Sequence, residues 1–534
     1  MDLREGYPPA PVNGRKPPET TQRSYAHAWV ARPGIETTQV NGDGNRMMSR
    51  TTRKQPHDGR KSEPATNQTD CITHRSVRTG CNSMSGDMHA VKRVLAMLFG
   101  PADRRAFRVQ LWDGSIEGPR TEQAAPFTIV LRRPGALRRM LVPPSELAMG
   151  EAYLRDDFDV LGDMEAATGL AELVSERLTS ATAVTHLVPF FMALPDDDYS
   201  TPSSHGGHPD VPLLGRRHSR QRDRIAVRTH YDVGNDFYAL WLDQRMVYSC
   251  AYFENEKQDL DTAQLAKLDY ICRKLRLQPG ERLLDVGCGW GALVHHAAEH
   301  YGVRATGITL SEQQAALARE RIAMAGLSDR CQVVVRDYRE FPTGTQFDKI
   351  ASVGMVEHVG RVRLATYFDE IYRLLEPGGI FLNHGIVEMP SPRSTSPLEW
   401  ATRAIWRPRS FIDRHVFPDG ELVTTSEIIS HAERAGFEAR DVESLREHYA
   451  LTLRHWVKRL EARHEQAVDL VGEPTYRVWR LYMAGSARGF ATRRLNIVQT
   501  LLSKSATGGE SHLPLSRADF YRTASTARPI RQLA

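Results

Sequence analysis

Nine residues, Leu284-Asp285-Val286-Gly287-Cys288-Gly289-Trp290-Gly291-Ala292, constrain this chain more than any other stretch. An apolar strand-like run, RLLDV, leads into three alternating glycines and then a helix-like segment from about Trp290. Glycines at such a junction permit a tight turn and let backbone amides approach a ligand at the helix N-terminus. The strand-and-helix pattern then repeats through RATGIT, SEQQAALARERIAMAG, CQVVV, FDKIASVG and GGIFLNHGIV, the last opened by EPGG. Alternating units of this size imply a parallel sheet covered by helices on both faces. The expected fold class is α/β, a doubly wound, mostly parallel Rossmann-like sheet, with a small N-terminal α+β domain and a disordered N-terminal arm.

Gly287, Gly289 and Ala292 also satisfy the spacing of a dinucleotide fingerprint, which is weak evidence alone. Two features point instead to S-adenosylmethionine. Asp285 directly precedes the glycines, giving the methyltransferase pattern D-x-G-x-G-x-G, and EPGG before the later strand is the usual methyltransferase punctuation. The ribose-binding acid of dinucleotide enzymes is missing where the second strand ends, Gly307-Ile308-Thr309-Leu310-Ser311. Thr309 and Gln314 could supply hydroxyl and amide hydrogen bonds there. Ser311 as an N-cap, with Gln314 exposed, is an equal reading of the same spacing.

The rest of the 534 residues divides by composition. Residues 1–87 are rich in Pro, Gly, Ser, Thr, Asn and basic residues and lack apolar periodicity, which predicts the disordered arm. Residues 88–194 carry an amphipathic helix, His89 to Phe99, and strands in FRVQLWDG and PFTIVLRR, with a turn at Asp113-Gly114. A Pro/Gly/Ser-rich linker spans 195–222, a catalytic domain 223–505 and a tail 506–534. Six scattered cysteines without a CxxC pair give neither a disulfide framework nor a zinc site. No apolar h-region opens the chain and no run approaches the roughly 18 residues of a membrane span, so the expected location is cytoplasmic. Residues 444–534 hold 15 Lys/Arg against 7 Asp/Glu, a local charge of +8. Such a segment fits an anionic bilayer surface, at about 1 kcal/mol per cation, or simply a solvated helix face. No DNA or RNA motif accompanies it, so nucleic acid is not an expected partner.

TLSEQQ, HYDVGNDFYALWLD, MVYSCAYF and GMVEHVG occur together in this chain. That combination closely resembles the cyclopropane-fatty-acyl-phospholipid synthases and the related mycolic-acid cyclopropane synthases and lipid methyltransferases, over about residues 222–500. DGS and MGEAYLRDDFDV resemble the N-terminal domain of the longer, phospholipid-acting members. The resemblance implies methyl transfer from S-adenosylmethionine to a cis double bond of a phospholipid acyl chain, at the inner face of the cell membrane. It leaves a homodimer open. By matching motifs, Tyr248, Ser249, Asp285, Gly287, Gly289, Gly291, Thr309, Gln314 and Tyr338 would serve the cofactor. Where the mycolic-acid enzymes carry a Trp-Glu pair near the adenine, this chain has Tyr338-Arg339, which keeps an aromatic face and replaces the acid. The family also holds a bicarbonate ion, whose ligands map onto Cys250, Glu357, His384, Ile386 and Tyr449, with Cys250 and Ile386 contributing backbone N–H groups.

Attack by an alkene on a sulfonium methyl depends on positioning and on stabilising the cation that develops. A proton must then leave the transferred methyl, in a site that excludes water, for the ring to close. Bicarbonate suits that role, and Glu357 could accept hydrogen bonds from it while His384 and Tyr449 donate. Each residue alone has a plainer reading: His384 as a core histidine, Tyr449 as helix packing, Cys250 as an inert thiol. Glu357 follows FDKIASVG at the C-terminal sheet edge, where α/β folds bind ligands. His295, His296 and His300, on a helix without evident Cys or carboxylate partners, are assigned no metal role. Phe237, Tyr238 and Trp241 are expected in an acyl tunnel or in the core, and Glu388 to Phe417 as a mobile, membrane-facing cover. Other readings are a methyl- or methylene-branched lipid product, an N-methyltransferase, and a non-catalytic lipid-binding protein. The His/Tyr/Cys set argues against the amine, since N-methylation needs no bicarbonate.

Overall fold

The computed structural model describes residues 76–119, 125–143, 145–177, 181–196, 217–231, 233–389 and 410–521. Most of the arm, the core of the 195–222 linker and the centre of the expected cover lie outside them. Everything described belongs to one compact unit, Thr73–Ala534.

Strands β1 (Arg108–Gln110), β2 (Ile116–Glu117), β3 (Phe127–Leu131) and β4 (Phe158–Gly162) form a small sheet in the order β2-β1-β3-β4. β1 and β3 run parallel and the other pairs antiparallel. The Asp113-Gly114 turn is present, with Gly114 at φ 85° and the Asp113 carboxylate accepting the Ser115 N–H at 2.9 Å. The helix expected from His89 begins earlier, at Ser76, which moves the end of the arm. Its Val91, Val94, Leu95 and Leu98 are buried at helical spacing and join the core of this sheet.

The large sheet holds β5 (Arg282–Val286), β6 (Arg304–Thr309), β7 (Cys331–Val335), β8 (Phe347–Val353), β9 (Leu375–Glu388), β10 (Glu438–Ser444) and β11 (Leu495–Ser503). Their order is β10-β11-β9-β8-β5-β6-β7. β5 to β9 pair in parallel, and only β11 runs against its neighbours. The parallel strands read as near-continuous apolar runs because helices bury both faces. β5 and β8 sit side by side at the centre, so the loops that follow them meet at one sheet edge.

The expected tail is docked as far as residue 521. Phe520 is buried, the Arg273 guanidinium donates to its carbonyl, and Arg276 pairs with Asp519 at 2.7 Å. Among the described residues no helix is long and apolar enough to cross a membrane.

The helix His464–Ala491, kinked at Gly472 before Pro474, joins the two sheets' cores. Arg477 donates to the Tyr153 carbonyl at 2.9 Å, and Arg480 to the Tyr153 hydroxyl at 3.0 Å and the Val160 carbonyl at 3.2 Å. Arg488 and Arg494 pair with Glu172 at 2.7 and 2.9 Å, and Arg454 with Glu165 at 2.7 Å. Five of the fifteen basic residues in that C-terminal segment, Arg454, Arg477, Arg480, Arg488 and Arg494, thus meet carboxylates between Asp156 and Glu172, and the case the charge made for an anionic bilayer is weaker. Replacing the largely buried Arg480 by alanine strands a buried hydroxyl and carbonyl. We expect Arg480→Ala to cost about 3 kcal/mol in urea denaturation and to speed proteolysis between the domains.

Candidate functional site

The turn after β5 is built from three left-handed glycines, Gly287 (φ 83°), Gly289 (φ 53°) and Gly291 (φ 80°). The Gly287 and Cys288 amides both donate to the Ile308 carbonyl of β6, at 3.0 and 2.9 Å, so two loop amides are spent on fixing the turn. A Cβ at Gly287 would lie 3.1 Å from the Met355 side chain. Gly291 serves the packing instead, since a Cβ there would meet Ala318 at 3.0 Å, and its absence lets the helix Glu312–Met324 approach closely.

A cavity opens over this turn. Of the expected cofactor residues, Tyr248, Ser249, Asp285, Gly287, Gly289, Thr309, Gln314 and Tyr338 line it, and Gly291 does not. Both readings of the β6 end hold in part. Ser311 caps its helix by accepting the Gln314 N–H, yet Gln314 is buried and its side-chain oxygen accepts the Thr309 hydroxyl at 2.7 Å. At the Tyr338 end, Arg339 reaches Asp337 at 2.6 Å and Asp223 at 3.0 Å, which brings two carboxylates to the place where position 339 has lost its acid.

Sequence reasoning missed Lys267, which lines the same cavity fully buried and donates to the Ser249 hydroxyl at 2.9 Å. Its signal was legible: Ala263, Lys267, Ile271 and Lys274 form one buried stripe of the helix Leu260–Lys274. Burial pulls its ammonium down to about 8. Burial also pushes the Asp285 carboxyl up to about 7, against the opposing pull of Lys267.

Beside the cofactor cavity the loop after β8 carries Glu357. Its Oε1 accepts the Ile386 N–H at 2.7 Å, while Oε2 is buried without a partner among the described residues. Ile386 is therefore a ligand of Glu357, and its N–H is already committed. Gly385 makes that approach possible, since a Cβ there would lie 2.2 Å from Val356. His384 and Ile386, two apart on β9, share a strand face. The His384 ring is fully buried, its Nδ1 lies 3.3 Å from the Gln499 amide, and its Nε2 has no partner among the described residues. Burial, reinforced by Lys267 and Lys274, drives His384 well below the usual histidine range, so the ring is neutral. Tyr449 and Cys250 belong to one buried cluster against which Ile386 packs. The Cys250 thiol is inert: burial raises it far out of the thiolate range, and it points at the Leu445 carbonyl.

Phe237, Tyr238 and Trp241 are closed core, packed on Trp479 with ring centroids 5.7, 5.3 and 5.5 Å away, and line neither this cavity nor the larger one beside the N-terminal domain. The histidine helix does have acidic neighbours, contrary to expectation: Asp269 lies 3.9 Å from His296 and Glu299 3.5 Å from His295 and His300. Among the described residues no group of three or more such side chains is placed to hold a metal.

The family model described as mycolic acid cyclopropane synthetase matches residues 218–500, and a domain of unknown function matches 94–181. A probable fatty acid methyltransferase of Pseudomonas putida is 39% identical over 422 residues, covering 78% of this chain and 96% of its own. A cyclopropane-fatty-acyl-phospholipid synthase of Escherichia coli (strain K12) is 35% identical over 291 residues, 54% of this chain and 71% of its own. A crystal structure of the mycolic acid cyclopropane synthase CmaA1 complexed with SAH and CTAB shares 35% identity, covering 52% of this chain and 97% of that one, with a TM-score of 0.48.

Burial raises the Glu357 carboxyl from 4.5 to about 7, with the Ile386 N–H opposing the rise. Between these values the folded protein keeps a proton that the unfolded chain releases. Stability therefore falls as pH rises from about 4.5 through 7 and levels off above. Glu357→Gln removes this contribution. Urea midpoints taken at pH 5 and pH 7.5 should show the variant gaining on the parent at the higher pH, and an equal difference at both would contradict a buried, proton-holding Glu357.

Proposed function

The chain belongs to the mycolic acid cyclopropane synthetase family and is an S-adenosylmethionine-dependent methyltransferase, and from that premise we propose that it adds a methylene carbon to a cis double bond in phospholipid acyl chains. One observation carries this reading. A Glu357 oxygen and a His384 nitrogen, each without a hydrogen-bond partner among the described residues, are buried at the sheet edge, beside a cavity bounded by the glycine turn.

Bound S-adenosylmethionine supplies a methyl group activated by a sulfonium. The turn after β5 and the Thr309–Gln314 pair position it, Tyr338 offers an aromatic face, and Lys267 and Asp285 bring opposite charges to the cofactor cavity. Once a methyl has joined the alkene, one of its protons must leave as the ring bond forms, so the products are cyclopropane, S-adenosylhomocysteine and a proton. Bicarbonate suits the site as the base that receives this proton. The donor set fits it: Nε2 of neutral His384 can carry a hydrogen to donate, Tyr449 can donate, and Glu357 can accept or, near its raised value, donate. Ile386 acts one step back by orienting Glu357. Because the substrate resides in bilayers, the enzyme works peripherally at the cytoplasmic membrane face.

A second reading has one observation in its favour, the Pseudomonas putida relative's description as a fatty acid methyltransferase at 96% coverage of that relative. A 1,2-hydride shift in the same cation followed by loss of a proton gives a methylene-branched chain, and a saturated methyl branch would need a hydride donor as well. Purified protein, S-adenosylmethionine and liposomes of cis-monounsaturated phospholipid decide between them. The expected result is fatty acids heavier by one CH2 with upfield cyclopropane protons, whereas vinylidene signals would establish the branched product. Unchanged lipid with intact S-adenosylmethionine binding would move the substrate to another class. Glu357→Gln should lower kcat by roughly 100-fold, and bicarbonate depletion should act in the same direction.

A further inference from the structure

The helix Leu260–Lys274 buries two lysines on one stripe, and only one of them has its charge met by a neighbour. Lys274 pairs with Asp441 at 3.1 Å and with Glu443, which also accepts the Tyr270 hydroxyl at 2.8 Å. Lys267, two turns earlier, is 2% exposed and lines the cofactor cavity. Among the described residues no carboxylate comes within ion-pair distance of it, and its hydrogen-bond partner is a neutral group, the Ser249 hydroxyl. Asp243 and Asp285 act on it only through longer-range attraction. A buried ammonium in this condition is costly, and an anion entering the cavity relieves that cost.

The bond between Lys267 and Ser249 also fixes a direction. An ammonium has three hydrogens and no lone pair, so the Ser249 oxygen is the acceptor. The hydroxyl's own hydrogen has no acceptor among the described residues, although Ser249 lines the cavity. The same helix holds the rest of this serine in place: Gln264 donates to the Ser249 carbonyl at 2.9 Å and to the Val247 carbonyl at 3.3 Å. Hydrogens of one ammonium and one hydroxyl are thus left without acceptors at the cavity wall. Asp285 on β5 presents the opposite need in the same cavity, since its Oδ1 is buried without a donor among the described residues.

We infer that Lys267 is a positioning residue for the carboxylate of S-adenosylmethionine: by occupying the Ser249 oxygen it commits the hydroxyl hydrogen to that carboxylate, and its charge offsets the carboxylate's. The carboxylate is the one anionic group of the cofactor, and it stands beside an ammonium that Asp285 serves. A zwitterion met by opposite charges at two points is held against rotation, which fixes the direction of the sulfonium methyl. The inference rests on the cofactor's class and on no part of the proposed lipid chemistry.

Calorimetric binding of S-adenosylhomocysteine tests it without turnover. The comparison ligands are the decarboxylated analogue, which keeps the amine, and 5′-methylthioadenosine, which lacks the whole amino-acid end. We expect the preference for S-adenosylhomocysteine over the decarboxylated analogue to fall roughly tenfold or more in Lys267→Met, with 5′-methylthioadenosine binding as in the parent. Ser249→Ala should lower the same preference, and the double variant should lose little beyond Lys267→Met, because the two side chains act as one unit. The parent alone gives a second readout. Burial brings the Lys267 ammonium down to about 8, so it loses its proton as pH rises through that value. Asp243, Cys250, Asp285 and His384 are the titratable groups around it, and they meet both ligands alike, each of which carries the amine. The preference should therefore drop roughly tenfold between pH 6.5 and 9 in the parent and stay level in Lys267→Met. A preference unchanged in Lys267→Met overturns the inference, as does a flat pH profile in the parent. If Lys267→Met loses 5′-methylthioadenosine as well, the cavity itself is disturbed and the parent's profile decides. Liposomes left without cyclopropane would sink the proposed reaction and leave this assignment standing.

Discussion

Two buried guanidinium groups, Arg477 and Arg480, hold the architecture together. Both reach across from one long helix to backbone carbonyls of another domain, and each is balanced by a carboxylate, Glu473 at 2.8 Å and Glu461 at 2.7 Å. An arginine buried among carbonyls is costly unless nearly all of its donors are met, so the contact tolerates little variation in geometry. The larger cavity, walled by Met140, Met149 and Met164 on one side and by Leu481 and Tyr482 on the other, depends on that fixed spacing. Without the docking, its methionine wall and its leucine and tyrosine wall would be two exposed apolar faces.

The same economy governs the reacting cluster. Glu357, His384 and Tyr449 sit where water is excluded, and burial acts on each in the expected sense: the carboxyl and phenol rise and the imidazole falls. His384 and Tyr449 are therefore neutral near pH 7, while Glu357, raised to about 7, is divided there between its protonated and ionised forms. A neutral, desolvated set of donors and acceptors suits the holding of a small anion, because charged side chains would either repel it or bind it too firmly to release a proton cleanly. Lys267, one layer behind, supplies positive potential without entering the cluster.

What was legible in the sequence was the part whose signal is local. The glycine turn, the apolar runs of β5 to β9 and the Ser311 cap are written in consecutive residues, and the structure places them as read. β10 and β11 were not found. β10 is a polar edge strand, EARDVES, paired among the described residues with β11 alone, and β11 lies within the basic segment 444–534, which reads as surface. Charge misled for a related reason. A count of Lys and Arg cannot show that Asp156, Asp159, Glu165 and Glu172, some 300 residues earlier, are their partners. The aromatic residues of NDFYALW, read as acyl tunnel or core with core the commoner outcome at helical spacing, are core: their rings are spent on one another, and the larger cavity is lined instead by methionines and glycines scattered along the chain.

The placement of the two cavities bears on how a carbocation survives in this protein. Tyr248 lines the cofactor cavity and Tyr482 the larger one, and the Trp479 ring lies 6.1 and 5.9 Å from theirs by centroid. In the proposed reaction the methyl donor and the alkene would meet beside aromatic faces, whose quadrupoles attract a cation within about 6 Å of the ring centre. An aromatic wall cannot remove a proton, however, so the reaction's end point is left to the Glu357 cluster at its edge. In the proposed reaction, stabilising the cation and discharging it would fall to separate residues, and the balance between them would divide a cyclopropane from a branched chain.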